Sequence, residues 1–332
     1  MPKTINWGII GPGRIAHKFV QDLLLVPDAR LYGVASRDAA KARNFASQYG
    51  AEKSYGRYEE LVLDPAIDVV YIATPHPFHY PNTMLCLQHD KAVLCEKPFG
   101  MNAREVERMI AEARKRNLFL MEAFWTRFIP GTEKLLEILA SGAIGQLKFI
   151  TADFGFVGDP DPQKRVHNKA LGGGSLLDVG IYPVYLSLLL FGAPVNIKAL
   201  ASYTQTDVDS ICSMIFDHNA GQKAILHSSI IASTPTEAMI YGTEGSIKLH
   251  HRFHHPQRIT ITKNDGFSET IDVPYTGIGY YHEIVEVVKC IQTGMTESDK
   301  MPHAMSIDLI TTLDRVRKEI GLEYGKDEKL RS

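Results

Sequence analysis

Three residues of this chain could carry acid–base chemistry on a small substrate: Lys97, Asp178 and Tyr182. Lys97 closes the stretch Ala92-Val-Leu-Cys-Glu96-Lys97-Pro98, a short apolar run of the kind that forms a buried parallel strand. Ligands of open α/β sheets bind at the carboxyl ends of such strands. Lysine is almost never fully buried without a partner, so Lys97 is expected to face a cofactor, a substrate or a carboxylate. The plainer alternative is a strand-end lysine paired with Glu96. A cis Lys97–Pro98 bond, of a kind seen in about 5% of X-Pro bonds, would suit this turn. Asp178 and Tyr182 lie in Gly172-Gly-Gly174-Ser-Leu-Leu-Asp178-Val-Gly180-Ile-Tyr182-Pro183. Its glycines allow close backbone approach, and residues four apart share a face if the segment is helical. Pro183 disturbs a helix interior, so Tyr182 is also compatible with the start of a second helix. A core tyrosine and a capping aspartate are the structural alternatives.

Such groups need a sheet to position them. Ile5 to Ile10 reads as a strand, followed by Gly11-Pro12-Gly13-Arg14-Ile15-Ala16 and a helical pattern carrying Phe19, Val20, Leu23 and Leu24. In Gly-x-Gly-x-x-Ala between strand and helix, Gly11 makes the turn and Gly13 lets the backbone approach a pyrophosphate. The helix N-terminus, with Arg14 and Ile15, offers N–H groups to phosphate. The second strand, Arg30 to Ala35, ends in Ser36-Arg37, where an NAD site would usually carry an acid. A hydroxyl and a guanidinium suit a 2′-phosphate, so NADP is expected ahead of NAD, although Asp38 could reach the ribose. Val69 to Ala73 leads into Thr74-Pro-His76-Pro-Phe-His79. There Thr74, His76 and His79 are candidates for contact with nicotinamide or substrate, or His79 bonds a backbone carbonyl. Helices over 38–49, 58–63, 81–89 and 102–116, with Asn102 as N-cap and Glu105 as its capping-box partner, complete a six-stranded, doubly wound parallel sheet ending at Leu118 to Met121.

Composition narrows the function. With 332 residues, two domains are expected, 1–122 and 123–332. Lys plus Arg (36) nearly balances Asp plus Glu (38), which leaves no electrostatic footprint for nucleic acid or an anionic membrane. Cys86, Cys95, Cys212 and Cys290 form no Cys-x-x-Cys pair and suit reduced core positions. Met1-Pro2-Lys3 runs into a strand without a leader pattern, no apolar run is read as membrane-spanning, and the expected location is the cytoplasm.

Beyond Glu122 the pattern turns β-rich: runs over 146–154, 195–204, 210–217, 223–231, 237–241, 246–250, 258–262 and 269–273, separated by turn signals, predict an α+β domain with a largely antiparallel open sheet. One face of that sheet needs a cover, and a second copy of the chain is the expected one. Trp125 and Arg127 suit either a substrate pocket or an interdomain anchor. In His250-His251-Arg-Phe-His254-His255, adjacent strand residues point to opposite faces and no cysteine or carboxylate is close, so no metal is expected.

Taken jointly, Gly8-Ile-Ile-Gly11-Pro-Gly13-Arg-Ile-Ala16, Ala73-Thr-Pro75 with His79, Glu96-Lys97-Pro98, Gly172 to Pro183, Gly277-Ile-Gly-Tyr280 and Ile320-Gly-Leu-Glu-Tyr324 resemble the glucose-fructose oxidoreductase and inositol dehydrogenase (Gfo/Idh/MocA) family across nearly the whole chain. Glu122-Ala-Phe-Trp125-Thr-Arg127-Phe128 is similar to the branch holding dimeric dihydrodiol dehydrogenases and NADP-dependent xylose dehydrogenases. The resemblance implies a Rossmann domain joined to an open sheet that dimerises, with Lys97 and Tyr182 carrying the chemistry. Inositol-type substrates are less favoured, because Tyr182 stands where many members have histidine.

The mechanism expected is hydride transfer between nicotinamide and a hydroxyl-bearing carbon of a sugar, trans-diol or related polyol. Tyr182 takes the proton, Lys97 favours its phenolate and meets a cofactor ribose, Asp178 orients the reacting group, and Trp125 with Arg127 shapes the pocket. Lys97 as the proton carrier is the variant of this scheme. A cofactor-binding regulator without turnover, and a hydrolase or lyase using the cofactor transiently, are the alternatives.

Overall fold

The computed structural model describes residues 3–325, so Met1 and Pro2 lie outside the described residues. The chain folds as two compact units: one runs through Phe128 and takes back Thr276–Ile307, the other holds Ile129–Tyr275 and resumes at Asp308. The chain passes between units three times, where a change of character after Glu122 alone suggested one boundary.

In the first unit, β1 (Ile5–Ile10), β2 (Ala29–Ala35), β3 (Lys53–Tyr55), β4 (Val69–Ile72), β5 (Ala92–Glu96) and β6 (Leu120–Ala123) form a parallel sheet in the order β3-β2-β1-β4-β5-β6. The intervening helices are α1 (Arg14–Leu23), α2 (Ala39–Tyr49), α3 (Tyr58–Val62), α4 (His79–Gln88) and α5 (Ala103–Arg116). Every residue of β4 and β5 is buried, as continuous apolar runs of a covered parallel sheet require. α4 begins at His79 rather than Pro81, because a proline is accommodated in a helix's first turn. α5 is capped as its sequence implies: Asn102 Oδ1 accepts the Glu105 N–H at 3.0 Å, and Glu105 Oε2 turns back to accept the Met101 N–H at 2.9 Å.

The second unit opens with α6 (Pro130–Ala140). Its sheet comprises β7 (Leu147–Gly155), β8 (Asn196–Tyr203), β9 (Asp209–Asp217), β10 (Lys223–Ser229), β11 (Ala238–Gly242), β12 (Gly245–Leu249), β13 (Arg258–Lys263) and β14 (Ser268–Asp272). The order is β14-β13-β12-β11-β7-β10-β9-β8, and β7 with β10 is its one parallel pair among the described residues. Side chains alternate between the two faces, leaving Leu200, Ile215 and Ile225 exposed on β8, β9 and β10. The other face supports a π-helical turn, Leu176–Gly180, that runs directly into α7 (Ile181–Phe191).

The expectation of no membrane-length apolar run needs correcting. By length and composition the helical stretch Lys169–Phe191, of mean hydropathy 1.6, could cross a membrane. In the structure 83% of its apolar window is buried inside the protein, and a helix apolar all round is what a core requires.

α8 (Tyr281–Gln292) belongs to the first unit, and α9 (His303–Ile320) runs from it into the second. Asp22 of α1 explains the return. Its buried carboxylate accepts backbone N–H bonds from Ile278 at 2.9 Å, Tyr280 at 2.7 Å and Tyr281 at 3.0 Å. Gly277 sits so close that a Cβ there would lie 2.0 Å from Asp22 Oδ1.

Candidate active site

The carboxyl end of the parallel sheet gathers three loops. Gly11 has φ +88°, and a Cβ on it would lie 2.9 Å from Thr74 Cγ2. Only glycine satisfies both the turn and that approach. The Gly11 N–H donates to the Ala35 carbonyl at 3.2 Å and the Ala73 N–H to the Ile10 carbonyl at 2.9 Å, so the ends of β1, β2 and β4 are tied together. Gly13 is the N-cap of α1 and has no side chain to satisfy the first-turn N–H groups. Arg14 is exposed and Ile15 half-buried beside them. Open space at Gly13, where a Cβ would meet only the Gly11 carbonyl at 3.9 Å, and uncapped donors on α1 fit a dinucleotide pyrophosphate.

The β2 end fits the adenosine side. Ser36 is buried and its Oγ accepts the Asp38 N–H at 3.2 Å. The exposed Arg37 holds its guanidinium 5.5 Å above the Phe78 ring, within cation–π range. Asp38, the acid that could have reached a ribose, caps α2: Oδ1 accepts from the Ala40 and Lys41 N–H groups at 2.9 and 3.1 Å. A cavity of about 380 Å³ opens here, lined among others by Pro12, His17, Asp38, Lys41 and Asn44. Lys41 was not singled out from the sequence, where it reads as a solvated helix lysine.

Lys97 follows β5 and is half-buried, and the Lys97–Pro98 bond is cis, as the turn suggested. Glu96, a candidate cofactor contact, is buried and accepts the Tyr71 O–H. That bond ties the end of β5 to β4. His79 is wholly buried, with Nδ1 2.7 Å from the Pro98 carbonyl and Nε2 2.7 Å from the Thr74 carbonyl. Of the two readings the sequence allowed, the structure shows the backbone-bonding one: His79 bridges the β4 and β5 loops. The Thr74 hydroxyl accepts from Asn82 Nδ2 at 3.2 Å, and His76, also buried, sets its ring edge-on to His79 at 5.7 Å. Glu122 reaches the turn from β6. Burial pushes its carboxyl up to about 7, against the opposing Ser306 hydroxyl and the Phe99 N–H, which donates to Oε1 at 3.0 Å.

Trp125 and Arg127 lie in a 3₁₀ turn, Trp125–Phe128, of the same unit. Trp125 stacks on Tyr280 at 4.8 Å with an interplanar angle of 9°, and Arg127 Nε donates to the Lys300 carbonyl at 3.1 Å. Both hold the returning 276–307 segment, the anchoring contact that the sequence allowed beside a substrate pocket.

The second unit builds its own constellation. Asp178 sits in the π-helical turn, a geometry frequent at functional sites. Tyr182 is second in α7 and Pro183 third, so a π turn abutting a helix start reconciles the glycine-rich segment with its proline. The Arg165 guanidinium donates to Asp178 Oδ1 at 2.7 Å. Tyr182 is 8% exposed and lies in a ring cluster with Phe154 (5.6 Å) and His254 (4.9 Å). Beneath this segment Asp209 Oδ2 accepts the Ser175 O–H and the Leu176 N–H, both at 2.7 Å, and burial pushes its carboxyl up to about 6. Arg165, Phe154 and Asp209 carried no sequence signal, because only the fold brings them to the Gly172–Pro183 segment. Among the described residues no three His, Cys, Asp or Glu side chains gather as a metal set.

Known proteins share this design. Residues 5–124 match an oxidoreductase family with an NAD-binding Rossmann fold, GFO/IDH/MocA, and residues 132–248 match the C-terminal domain of that family. Trans-1,2-dihydrobenzene-1,2-diol dehydrogenase of Xenopus tropicalis is 38% identical, covering 96% of this chain and 99% of its own length. The Homo sapiens protein of the same name is 37% identical, covering 98% and 100%. Among solved structures, a 3-ketoreductase from Actinomadura kijaniata in complex with NADP and TDP-benzene superposes with a TM-score of 0.87 at 25% identity, covering 96% of this chain and 98% of its own. An aldose-aldose oxidoreductase from Caulobacter crescentus, 23% identical, shares the fold with a TM-score of 0.86 over 96% and 97% of the two chains.

Proposed function

Because this chain belongs to the Gfo/Idh/MocA family of NAD(P)-dependent oxidoreductases, we propose that it is an NADP-preferring dehydrogenase/reductase acting on a hydroxyl-bearing carbon of a sugar, trans-diol or related small polyol. The observation that carries the cofactor half is the β2 end. Ser36 and Arg37 stand where an acid would serve NAD, Asp38 is engaged at the α2 N-terminus, and Lys41 lines the adjoining cavity. Michaelis constants for both cofactors test it, and a clear NAD preference would sink it. The substrate class rests on the dihydrodiol dehydrogenases, at 36 to 39% identity, and on Tyr182 beside Asp178.

When bound, the cofactor supplies a hydride acceptor at its nicotinamide. The chain's own groups handle the proton. Tyr182 takes it from the substrate hydroxyl as hydride leaves the same carbon, and Lys97 is the cation assigned to favour the phenolate over a phenol of ordinary pKa near 10. Asp178, braced by Arg165, orients the reacting hydroxyl.

The proposal extends to assembly and location. Ile215 and Ile225 are cross-strand partners, 54% and 50% exposed, and Leu200 at 81% is on the neighbouring strand. Apolar side chains in such density on an open sheet favour a second copy of the chain as cover. Light scattering on the purified protein tests this, and a monomer at micromolar concentration would refute it. Four buried free thiols suit the reducing cytoplasm.

A further inference from the structure

The histidine run before β13 divides by environment. His250 Nε2 pairs with the Thr260 hydroxyl at 2.8 Å and His251 Nδ1 with the Pro235 carbonyl at 2.8 Å, both away from the ring cluster at Tyr182. His254 and His255 turn inward and are 7% and 8% exposed. His254 lies 4.5 Å from Phe154, nearly parallel at 24°, and 4.9 Å from Tyr182. His255 packs edge-on against it at 4.5 Å and 79°, and is itself fixed by Nδ1 at 2.9 Å from the Tyr275 hydroxyl. The His255 N–H donates to the Arg252 carbonyl at 2.9 Å, and the Phe253 N–H to the Thr236 carbonyl at 3.1 Å. His254 is thus clamped by rings and by a backbone turn, with its plane set.

Tyr182 has two ring neighbours of different chemistry. Phe154 presents only a π face, which suits the apolar face of any ring. His254 presents an imidazole, whose edge carries a donor and an acceptor. A polyhydroxylated substrate has hydroxyls on the carbons flanking the reacting one and rewards such an edge. A dihydrodiol carries two hydroxyls on an otherwise apolar ring and is equally served by a hydrocarbon wall. Sites built to hydrogen-bond a hydroxyl discriminate strongly against ligands lacking it.

We propose that His254, in ring contact with both Phe154 and Tyr182, is a specificity-determining residue that tunes the site toward sugar-like, polyhydroxylated substrates and away from cyclic diols whose ring is otherwise hydrocarbon. The inference rests on the reading of Tyr182 as the proton acceptor.

The test uses the full chain with NADP and two probes, D-xylose and the trans-dihydrodiol of benzene, in wild type, His254→Phe and His254→Gln. The Phe variant keeps a flat ring and removes the nitrogens, and the Gln variant keeps a donor and an acceptor. The expected result is a drop of about tenfold or more in the xylose-to-diol ratio of kcat/KM for His254→Phe, the worth of one substrate hydrogen bond, expressed mainly in the KM for xylose. His254→Gln should recover most of that ratio. Equal losses for both probes in both variants, or a ratio unchanged by Phe, overturn the assignment. A wild type that reduces no cofactor with either probe overturns the proposed function itself.

Discussion

The guanidinium of Arg165 lies 2.7 Å from Oδ1 of Asp178, so the carboxylate assigned to orient substrate is one half of a largely buried ion pair. An arginine fork holds a carboxylate in a defined plane, which a lysine ammonium does not. Arg165→Ala should lower kcat about tenfold or more, and Arg165→Lys should recover charge without geometry and fall between. Steady-state kinetics with bound-cofactor fluorescence as a control separates this from loss of cofactor binding. An Ala variant with wild-type kcat would show that the pair does not position Asp178 for turnover.

Gly174 is the second test of that segment. It has φ +115°, and a Cβ would stand 2.1 Å from Asp209 Oδ1, whose carboxyl is enclosed beneath the π turn. Gly174→Ala must displace one of them and should cost about 2 kcal/mol or more. Gly50→Ala, at φ +71° and ψ 29° with nothing within 4 Å, carries only the left-handed penalty of about 1 kcal/mol. Urea unfolding of the two variants reads the difference, and equal costs would refute the steric account.

Glu122 sets a pH dependence of stability. Burial raises its carboxyl from 4.5 to about 7 in the folded chain. Between those values the folded state keeps a proton that the unfolded state has lost, so this group's contribution to stability falls as pH rises. The loss begins near the unfolded value and is complete above about 7, with a size on the order of 3 kcal/mol. Glu122→Gln keeps an acceptor for the Phe99 N–H and removes the titration. Urea midpoints from pH 5 to 8 should decline less in the variant than in wild type, and parallel declines would contradict the assignment.

Arg37→Asp should invert cofactor choice. It removes the guanidinium beside Phe78 and restores an acid where a ribose diol would bind, so KM for NADP should rise about tenfold or more and KM for NAD fall. Unchanged constants would move the 2′-phosphate contact to other residues lining the cavity, Lys41 among them.

Both sheets were legible in the sequence because their signals are local. Gly11 and Gly13 sit between a strand and an amphipathic helix, and eight β-rich runs map onto the eight strands of the second sheet. The residues that complete the site were not, because they arrive from elsewhere in the chain. Arg165 opens a three-residue 3₁₀ turn, Asp209 opens a strand, and His254 was one of several histidines in a turn. Their neighbours are set by tertiary packing alone. The return of Thr276–Ile307 to the first unit had no compositional mark either, since it is held by long-range contacts, among them Asp22 bonding backbone N–H groups more than 250 residues away and Trp125 stacking on Tyr280. His79 shows the converse, a residue noticed for possible chemistry whose two nitrogens both face backbone carbonyls.

The most direct test of the central claim is the appearance of reduced nicotinamide when the purified chain meets NADP and a panel of aldoses and trans-diols, in wild type, Lys97→Met and Tyr182→Phe. The account predicts turnover in wild type and a fall of about a hundredfold or more in kcat in each variant while the cofactor still binds. No reduction with any substrate, or undiminished kcat in both variants, would contradict it.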